Sequence, residues 1–134
     1  MTVFIDTGAF LARYIVRDQH HNSAITKWNR LQKSKAKYCT SNFVLDEMIT
    51  LLGRWVGEEF ALEKAYSIYN SDSFLIVRPD EADELRALEL YAKFSDKKIG
   101  FTDCISFALM KKHKISKVFS FDRHFIDAGF TKIA

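Results

Sequence analysis

Residues 100–125 read GFTDCISFALMKKHKISKVFSFDRHF, and the interpretation of the whole chain starts from this stretch. Its first half is apolar nearly all round a helical wheel, which predicts a buried helix from Asp103 to about His113. Its second half predicts a short strand, Lys117–Phe121, with Asp122 directly after it. In a right-handed α/β unit the helix runs antiparallel to the parallel strands. We therefore expect Asp103 and Asp122 to lie at the same edge of a sheet.

The composition limits the class of protein. The chain has 134 residues, of which 48% are hydrophobic, and this predicts a single domain spanning residues 1–134 with a substantial core. Cys39 and Cys104 lie in apolar segments, which favours a reducing, cytoplasmic location over a disulfide framework. The sequence starts without the features of a signal peptide, and no uncharged run is long enough to span a bilayer. The net charge of +3 is a weak indication of an anionic partner.

Strand and helix patterns alternate along the chain. Five strands are predicted, at Val3–Ile5, Tyr38–Thr40, Phe74–Val77, Lys117–Phe121 and Gly129–Ile133. The helices between them are predicted to end near Tyr14 and to cover Ser23–Gln32, Phe43–Leu52, Glu58–Tyr69, Asp80–Phe94 and Asp103–His113, the last with Thr102 as its N-cap. Strands separated by helices indicate an α/β domain with a mainly parallel sheet of about five strands and helices on both faces. Ligands of such sheets bind outside the carboxyl ends of the strands.

Acidic residues from separate segments are expected at this carboxyl edge. Asp6 follows the first strand and Asp122 follows the fourth, while Asp103 opens a helix that begins at the same edge. Glu47 lies about one turn into the helix that follows the second strand. Each aspartate alone is also explained by helix capping. The coincidence of four acids at the edge where α/β sheets keep their sites favours a functional cluster.

Glu47 differs from its neighbour Asp46 in its position on the helical wheel. It lies between Phe43 and Leu51, inside the apolar arc, whereas Asp46 lies on the polar side. An acid on a core-facing stripe costs free energy unless it is paired or neutralised. Glu47 is therefore the predicted site residue of the two.

The cluster predicts a cation and a reaction. Neighbouring carboxylates repel one another and take up protons unless a cation lies among them. With no nearby cysteine or histidine pair, an all-oxygen set of ligands favours Mg²⁺ or Mn²⁺ over zinc. A cation of this kind can activate a water for in-line attack on a phosphodiester. The residues therefore point to hydrolytic cleavage of phosphodiester bonds.

Four segments carry a family resemblance: VFIDTGAF, NFVLDEMITLL, FTDCISFALM and VFSFDRHF, in this order along the chain. The pattern resembles the PIN domains, and within them the VapC toxins of type II toxin–antitoxin pairs. The resemblance implies a three-layer α/β/α sandwich and a metal-dependent endoribonuclease. It also implies that Asp6, Glu47, Asp103 and Asp122 form the acidic quartet that binds Mg²⁺ or Mn²⁺ and cleaves RNA. Asp6 and Asp103 match the principal metal ligands, and Asp122 is expected to join them.

The resemblance further implies supporting residues and partners. Ser120 stands where the family usually has threonine, so a supporting hydroxyl is retained, and Thr7 and Asp96 are the other expected supporting residues. A homodimer is implied, as is an antitoxin segment that covers a hydrophobic groove and blocks the acids. The apolar helices around residues 43–52 and 60–69 are candidate surfaces for these contacts.

Basic residues near the expected site are candidates for binding substrate phosphates. Arg13, Arg17 and Arg123 are predicted to lie closest to the acidic edge. His124 follows Asp122 closely, but a surface histidine beside a turn is the preferred interpretation over a general base.

Other functions stay open at this point. Asp6 could be the nucleophile of aspartyl-phosphate chemistry, but phosphatases of the haloacid dehalogenase type have a second aspartate two positions on, where this chain has Gly8. A PIN-like RNA- or protein-binding module without catalysis is a second alternative. An RNA-processing nuclease that is not paired with an antitoxin is a third.

Overall fold

The computed structural model describes residues 1–134. Its strands are β1 Thr2–Ile5, β2 Lys37–Ser41, β3 Phe74–Val77, β4 Lys117–Phe119 and β5 Thr131–Lys132. Its helices are α1 Thr7–Tyr14, α2 His21–Lys33, α3 Asn42–Trp55, α4 Glu58–Tyr69, α5 Glu81–Lys93, α6 Phe101–Lys112 and α7 His124–Asp127, with a 3₁₀ turn at Ser95–Lys97. No helix is both long and apolar enough to cross a membrane.

The five strands form one sheet in the order β3-β2-β1-β4-β5, and every pair is parallel. β1 lies at the centre, and its residues Val3, Phe4 and Ile5 are fully buried. This agrees with a continuous apolar run that has helices on both sides. The prediction of an α/β/α sandwich with a mainly parallel sheet of about five strands is confirmed.

α6 is the buried helix that the sequence predicted. Every residue from Cys104 to Met110 is buried. Phe107 packs edge-on against Phe125, with ring centroids 5.0 Å apart, and against Phe94 at 6.1 Å. Truncating a buried phenylalanine to alanine costs about 3–5 kcal/mol. Packing of this strength holds α6 in place, and with it the first turn of the helix.

The boundaries around this unit differ from those predicted. α6 begins at Phe101 with Gly100 as its N-cap, so Thr102 lies inside the helix and does not cap it. β4 ends at Phe119, two residues early, and the hydroxyl of the next residue, Ser120, bonds to Asp6 after β1 and to the backbone of Asp122. The sequence also gave no signal for α7, whose four residues are too few to show a helical period.

The chain direction gathers several element ends at one edge of the sheet. β1 and β2 end at Ile5 and Ser41, and α1 and α3 begin directly after them. β4 ends beside β1, where the backbone N–H of Asp6 donates to the carbonyl of Phe119 at 3.1 Å. This carboxyl edge is where the sequence places the acids.

Candidate active site

Asp6 occupies the N-cap position of α1, but its side chain makes no capping bond to the helix. It is only 6% exposed, and its Oδ2 accepts a hydrogen bond from Ser120 Oγ at 2.8 Å. Burial, and then the charge of Asp103, raise its pKa to about 7, against the lowering effect of the Ser120 bond. Capping therefore does not account for this aspartate.

Asp103 lies in the first turn of α6, where the helix dipole favours a negative charge. Its pKa is nevertheless raised to about 7, first by burial and then by the charges of Asp122 and Glu47. Burial, together with the neighbouring carboxylates, therefore outweighs the dipole at this position.

Ser120 joins two of the acids. Its hydroxyl donates to Asp6 and accepts from the backbone N–H of Asp122 at 2.9 Å. Asp122 Oδ1 in turn accepts from the backbone N–H of His124 at 2.9 Å, which holds its carboxylate at the start of α7. The loop after β4 is thus ordered by side-chain bonds that also orient the acids.

Glu47 reaches the site from α3, which is capped by Ser41 through a bond from the N–H of Val44 at 3.1 Å. Glu47 is exposed, so it does not face the core as the helical wheel predicted. The buried face of α3 consists of Val44, Leu45, Met48 and Leu52. The stripe that contains Glu47 instead borders a pocket, so the unfavourable burial inferred from the wheel does not occur.

The four predicted acids line one pocket of about 500 Å³. Its other lining residues are Thr7, Gly8, Leu11, Leu51, Gly100, Phe101, Thr102 and Phe121. No lysine or arginine lines it. The acids therefore face one another without a cationic side chain between them.

His124 belongs to this cluster, although the sequence favoured a surface histidine. Its Nδ1 lies 3.0 Å from Asp122 Oδ1 and 3.6 Å from Asp103 Oδ2. The shorter contact lacks the angle of a hydrogen bond and the longer one is too long, so this buried nitrogen has no hydrogen-bond partner. Asp103, Asp122 and His124 can each offer a ligand atom within 4.8 Å of the others. The signal in the sequence that could have placed His124 at the site is its spacing from Asp122, two residues earlier, at the start of α7.

Of the two other expected supporting residues, Thr7 lies at the pocket and Asp96 does not. Thr7 lines the pocket, and its buried hydroxyl has no hydrogen-bond partner. Asp96 lies exposed in the 3₁₀ turn and does not line the pocket. The expectation that Asp96 supports the acids finds no contact in the structure.

The three predicted arginines are not gathered at the acids. Arg123 is exposed between Asp122 and His124. Arg17 is exposed in the turn after α1. Arg13 was predicted near the acidic edge and lies elsewhere, in a pocket formed with residues at the starts of β2 and β3. The reason is that α1 carries its last turn away from Asp6.

The site has the properties expected of a cation site. The buried Asp6 and the half-buried Asp103 have raised pKa values, no lysine or arginine lines the pocket, and Nδ1 of His124 has no hydrogen-bond partner. A divalent cation would relieve the repulsion and use these donors. The residues present therefore fit a bound divalent metal ion.

A parallel α/β sheet with a carboxylate cation site at its carboxyl edge defines a broad class of metal-assisted enzymes. Residues 3–131 match the PIN domain, and the chain belongs to the PIN-domain family. The family resemblance read from the sequence is confirmed.

Three relatives show how far the similarity extends. The 23S rRNA-specific endonuclease VapC20 of Mycobacterium tuberculosis is 33% identical over 133 residues, covering 98% of this chain and 97% of that protein. Its crystal structure, described as a sarcin-ricin loop cleaving toxin, superposes with a TM-score of 0.87, 32% identity and 98% coverage of both chains. A VapC ribonuclease of Archaeoglobus fulgidus is 30% identical over 135 residues, covering 93% of this chain and 80% of that one. The structure of VapBC2 from Rickettsia felis, bound to promoter DNA, superposes with a TM-score of 0.72 and 14% identity, covering 99% of this chain and 98% of that one. At this identity the match shows the fold alone.

Proposed function

We propose that this protein is a metal-dependent endoribonuclease that hydrolyses RNA phosphodiester bonds and acts as the toxin of a type II toxin–antitoxin pair. The observation that carries the proposal is the convergence of Asp6, Glu47, Asp103 and Asp122 in one pocket. The names of the relatives that match nearly the whole chain, an rRNA endonuclease and a ribonuclease, support the reaction and the substrate class.

The cation is proposed to be Mg²⁺ or Mn²⁺, held by Asp6, Asp103 and Asp122. When bound, it would supply charge stabilisation at the phosphoryl oxygens and lower the pKa of a water nucleophile. Ser120 fixes the carboxylate of Asp6 and the backbone of Asp122, so two of the acids keep their relative position without the ion. Asp6 and Asp103 would bind the ion in their ionised form, so binding would displace the protons that these carboxylates hold because of their raised pKa values.

Glu47 is the member of the quartet suited to proton transfer. It is exposed at the pocket, yet close enough for its charge to raise the pKa of Asp103. A carboxylate that keeps contact with solvent can accept a proton from the attacking water and release it. We assign this proton to the carboxylate of Glu47.

The proposed partners are a cognate antitoxin and a second copy of this chain, and the proposed location is the cytoplasm. Large apolar side chains are 45–64% exposed along the end of α3 and along α4, namely Trp55, Val56, Leu62, Tyr66 and Tyr69. An apolar surface of this kind is typical of interaction sites. Two free buried cysteines suit a reducing compartment.

Cleavage of RNA by the purified protein tests the proposal. Structured ribosomal RNA should be cut when Mg²⁺ or Mn²⁺ is added, and EDTA should stop the reaction. Glu47→Gln should reduce cleavage strongly, whereas the matched control Asp46→Asn, on the exposed neighbour of Glu47, should not. Cleavage that persists in EDTA, or equal activity of the two variants, would contradict the mechanism.

A further inference from the structure

A second pocket of about 490 Å³ lies at the opposite, amino edge of the sheet. Lys37 and Tyr38 at the start of β2, and Phe74 at the start of β3, form its floor. Four basic side chains line it, namely Arg13, Lys35, Lys37 and Lys64, and no aspartate or glutamate does. Among these four, only Lys64 has an ion-pair partner, the highly exposed Glu63 at 3.3 Å. The pocket therefore concentrates uncompensated positive charge.

Aromatic rings form the wall behind these cations. The guanidinium carbon of Arg13 lies 4.5 Å from the ring centroid of Trp28, and Trp28 packs edge-on against Tyr38 at 5.5 Å. The ammonium of Lys64 lies 5.5 Å from the ring of Tyr14. Trp28 and Tyr38 are buried, so their rings hold the cations in place and offer no open face to a base. The feature that the pocket shares with proteins that bind single-stranded nucleic acid is its positively charged groove. The volume also falls within the usual range of about 300–1,000 Å³ for pockets that bind small molecules and cofactors.

The acidic pocket explains why such a surface is needed. It has no lysine or arginine, so it offers no basic side chain to the phosphates that flank the cleaved bond. Affinity for a polynucleotide comes mainly from basic residues that neutralise phosphates. The longest strand, β2, has five residues, and at about 3.3 Å per residue the two edges lie roughly 15 Å apart. A strand of several nucleotides can span this distance.

We propose that the amino-edge pocket is a second RNA-binding site, which holds backbone phosphates of the substrate at a distance from the cleaved bond. The inference rests on the proposed ribonuclease function and adds to it a site for substrate recognition. An acidic peptide would also meet the positive charge, but the acidic pocket has no basic residue to hold the phosphates of its proposed substrate, and this favours RNA as the occupant.

RNA binding by a cleavage-deficient parent, Asp103→Asn, tests the site. The probe is a fluorescein-labelled 20-nucleotide single-stranded RNA of mixed sequence, measured by anisotropy between 50 and 200 mM salt. Lys35→Gln/Lys37→Gln changes two exposed side chains and leaves the stack of Arg13 on Trp28 intact. We expect Kd to rise about tenfold and the salt slope to shrink by about 1.4, since single strands lose about 0.7 per phosphate contact. Arg13→Gln, checked for folding by its melting temperature, should weaken binding in the same direction.

The matched control is Lys93→Gln/Lys111→Gln, which removes two charges from a different basic pocket. This control should change Kd by less than twofold. Equal losses in both double variants would reduce the effect to net charge and overturn the proposal, as would unchanged binding by Lys35→Gln/Lys37→Gln. If adenosine monophosphate or a poly-glutamate peptide binds the parent as tightly as RNA, and the variants weaken only that binding, the pocket is a nucleotide or peptide site and the proposal fails. Metal-dependent cleavage by the unsubstituted chain tests the ribonuclease function separately.

Discussion

The two edges of the sheet carry pockets of nearly equal size and opposite chemistry. The pocket at the carboxyl edge, about 500 Å³, is lined by four acids and no lysine or arginine. The pocket at the amino edge, about 490 Å³, is lined by four basic residues and no acid. A net charge of +3 therefore conceals a strong separation of charge across the molecule. This separation indicates that the acidic edge performs the chemistry, while the basic edge supplies attraction for a polyanion.

Chain direction accounts for part of this difference. α1 and α6 begin with aspartates at or next to their first turns, and their last turns carry Arg13 and Lys111-Lys112. Helix dipoles favour this arrangement, but each such contact contributes only about 0.3–1 kcal/mol. The pKa values of Asp6 and Asp103 are raised to about 7 in spite of the dipoles. The acidic edge is therefore unfavourable for its own charges, which protons or an external cation can neutralise, whereas Lys35 and Lys37 at the basic edge are exposed to solvent.

The largest expected effect comes from removing a ligand at the acidic edge. Asp6→Asn or Asp103→Asn should lower RNA cleavage by more than about 100-fold, because even residues that only support metal ligands cost 10- to 100-fold when removed. Initial rates with a ribosomal RNA fragment at saturating Mn²⁺ measure this. Asp127→Asn, an exposed aspartate of α7 outside the pocket, is the control and should retain activity. A variant of Asp6 or Asp103 with activity near that of the control would refute the role of the quartet.

The metal-free protein should lose stability as the pH rises. Asp6 and Asp103 have pKa values of about 7 in the folded state, against the ordinary value of 3.8 that applies to the unfolded chain. Between these pH values the folded state therefore holds more protons than the unfolded state. The free energy of unfolding should therefore fall between pH 5 and 8, by on the order of 3 kcal/mol for each of the two groups. Urea unfolding in EDTA at the two pH values measures it. In Asp103→Asn the loss should be much smaller, and a stability that rises over this range would show that the carboxylates are not destabilised.

Ser120 should have an intermediate effect because it orients two acids without replacing either. Ser120→Ala should weaken Mn²⁺ binding by about 10-fold, while Ser120→Thr keeps the hydroxyl and should bind nearly as well. Calorimetric Mn²⁺ titrations of both variants compare them directly. If alanine and threonine are equivalent, the hydroxyl does not support the site.

The smallest expected effect concerns His124. Its unpartnered Nδ1 faces Asp103 and Asp122, and a nitrogen donor favours Mn²⁺ over Mg²⁺. His124→Asn should therefore reduce the ratio of Mn²⁺ to Mg²⁺ affinity by about 3-fold. Competition titrations measure this ratio, and an unchanged ratio would remove His124 from the site.

The sequence was sufficient to predict an element and its burial where one physical rule applied to a long segment. The apolar period of α6 and the continuous apolar run of β1 predict two buried elements, and parallel topology then places Asp6, Asp103 and Asp122 at one edge. The start of α3 after β2 placed Glu47 at the correct edge, but the argument that preferred it to Asp46 was wrong, since Glu47 is exposed at the pocket and does not face the core.

Two predictions failed for different reasons. Arg13 was placed by its closeness in sequence to Asp6 without regard to the direction of α1, and His124 depends on a helix too short to be detected. Arg13 is seven residues from Asp6, and at about 1.5 Å per residue α1 carries it about 10 Å away from the acids. The same direction rule that placed Asp103 could have placed Arg13. His124 depends on the four-residue α7 and on the turn bonds of Ser120 and Asp122, which no periodicity reveals.

Titration of the metal-free protein with Mn²⁺ by calorimetry at pH 6.5, in two buffers of different ionisation enthalpy, tests the central claim most directly. The structure predicts saturable binding with release of protons from the buried acids, and loss of both signals in Asp6→Asn and in Asp103→Asn. Absence of binding, or binding that neither releases protons nor responds to these substitutions, would contradict a cation site built from the acids of the carboxyl edge.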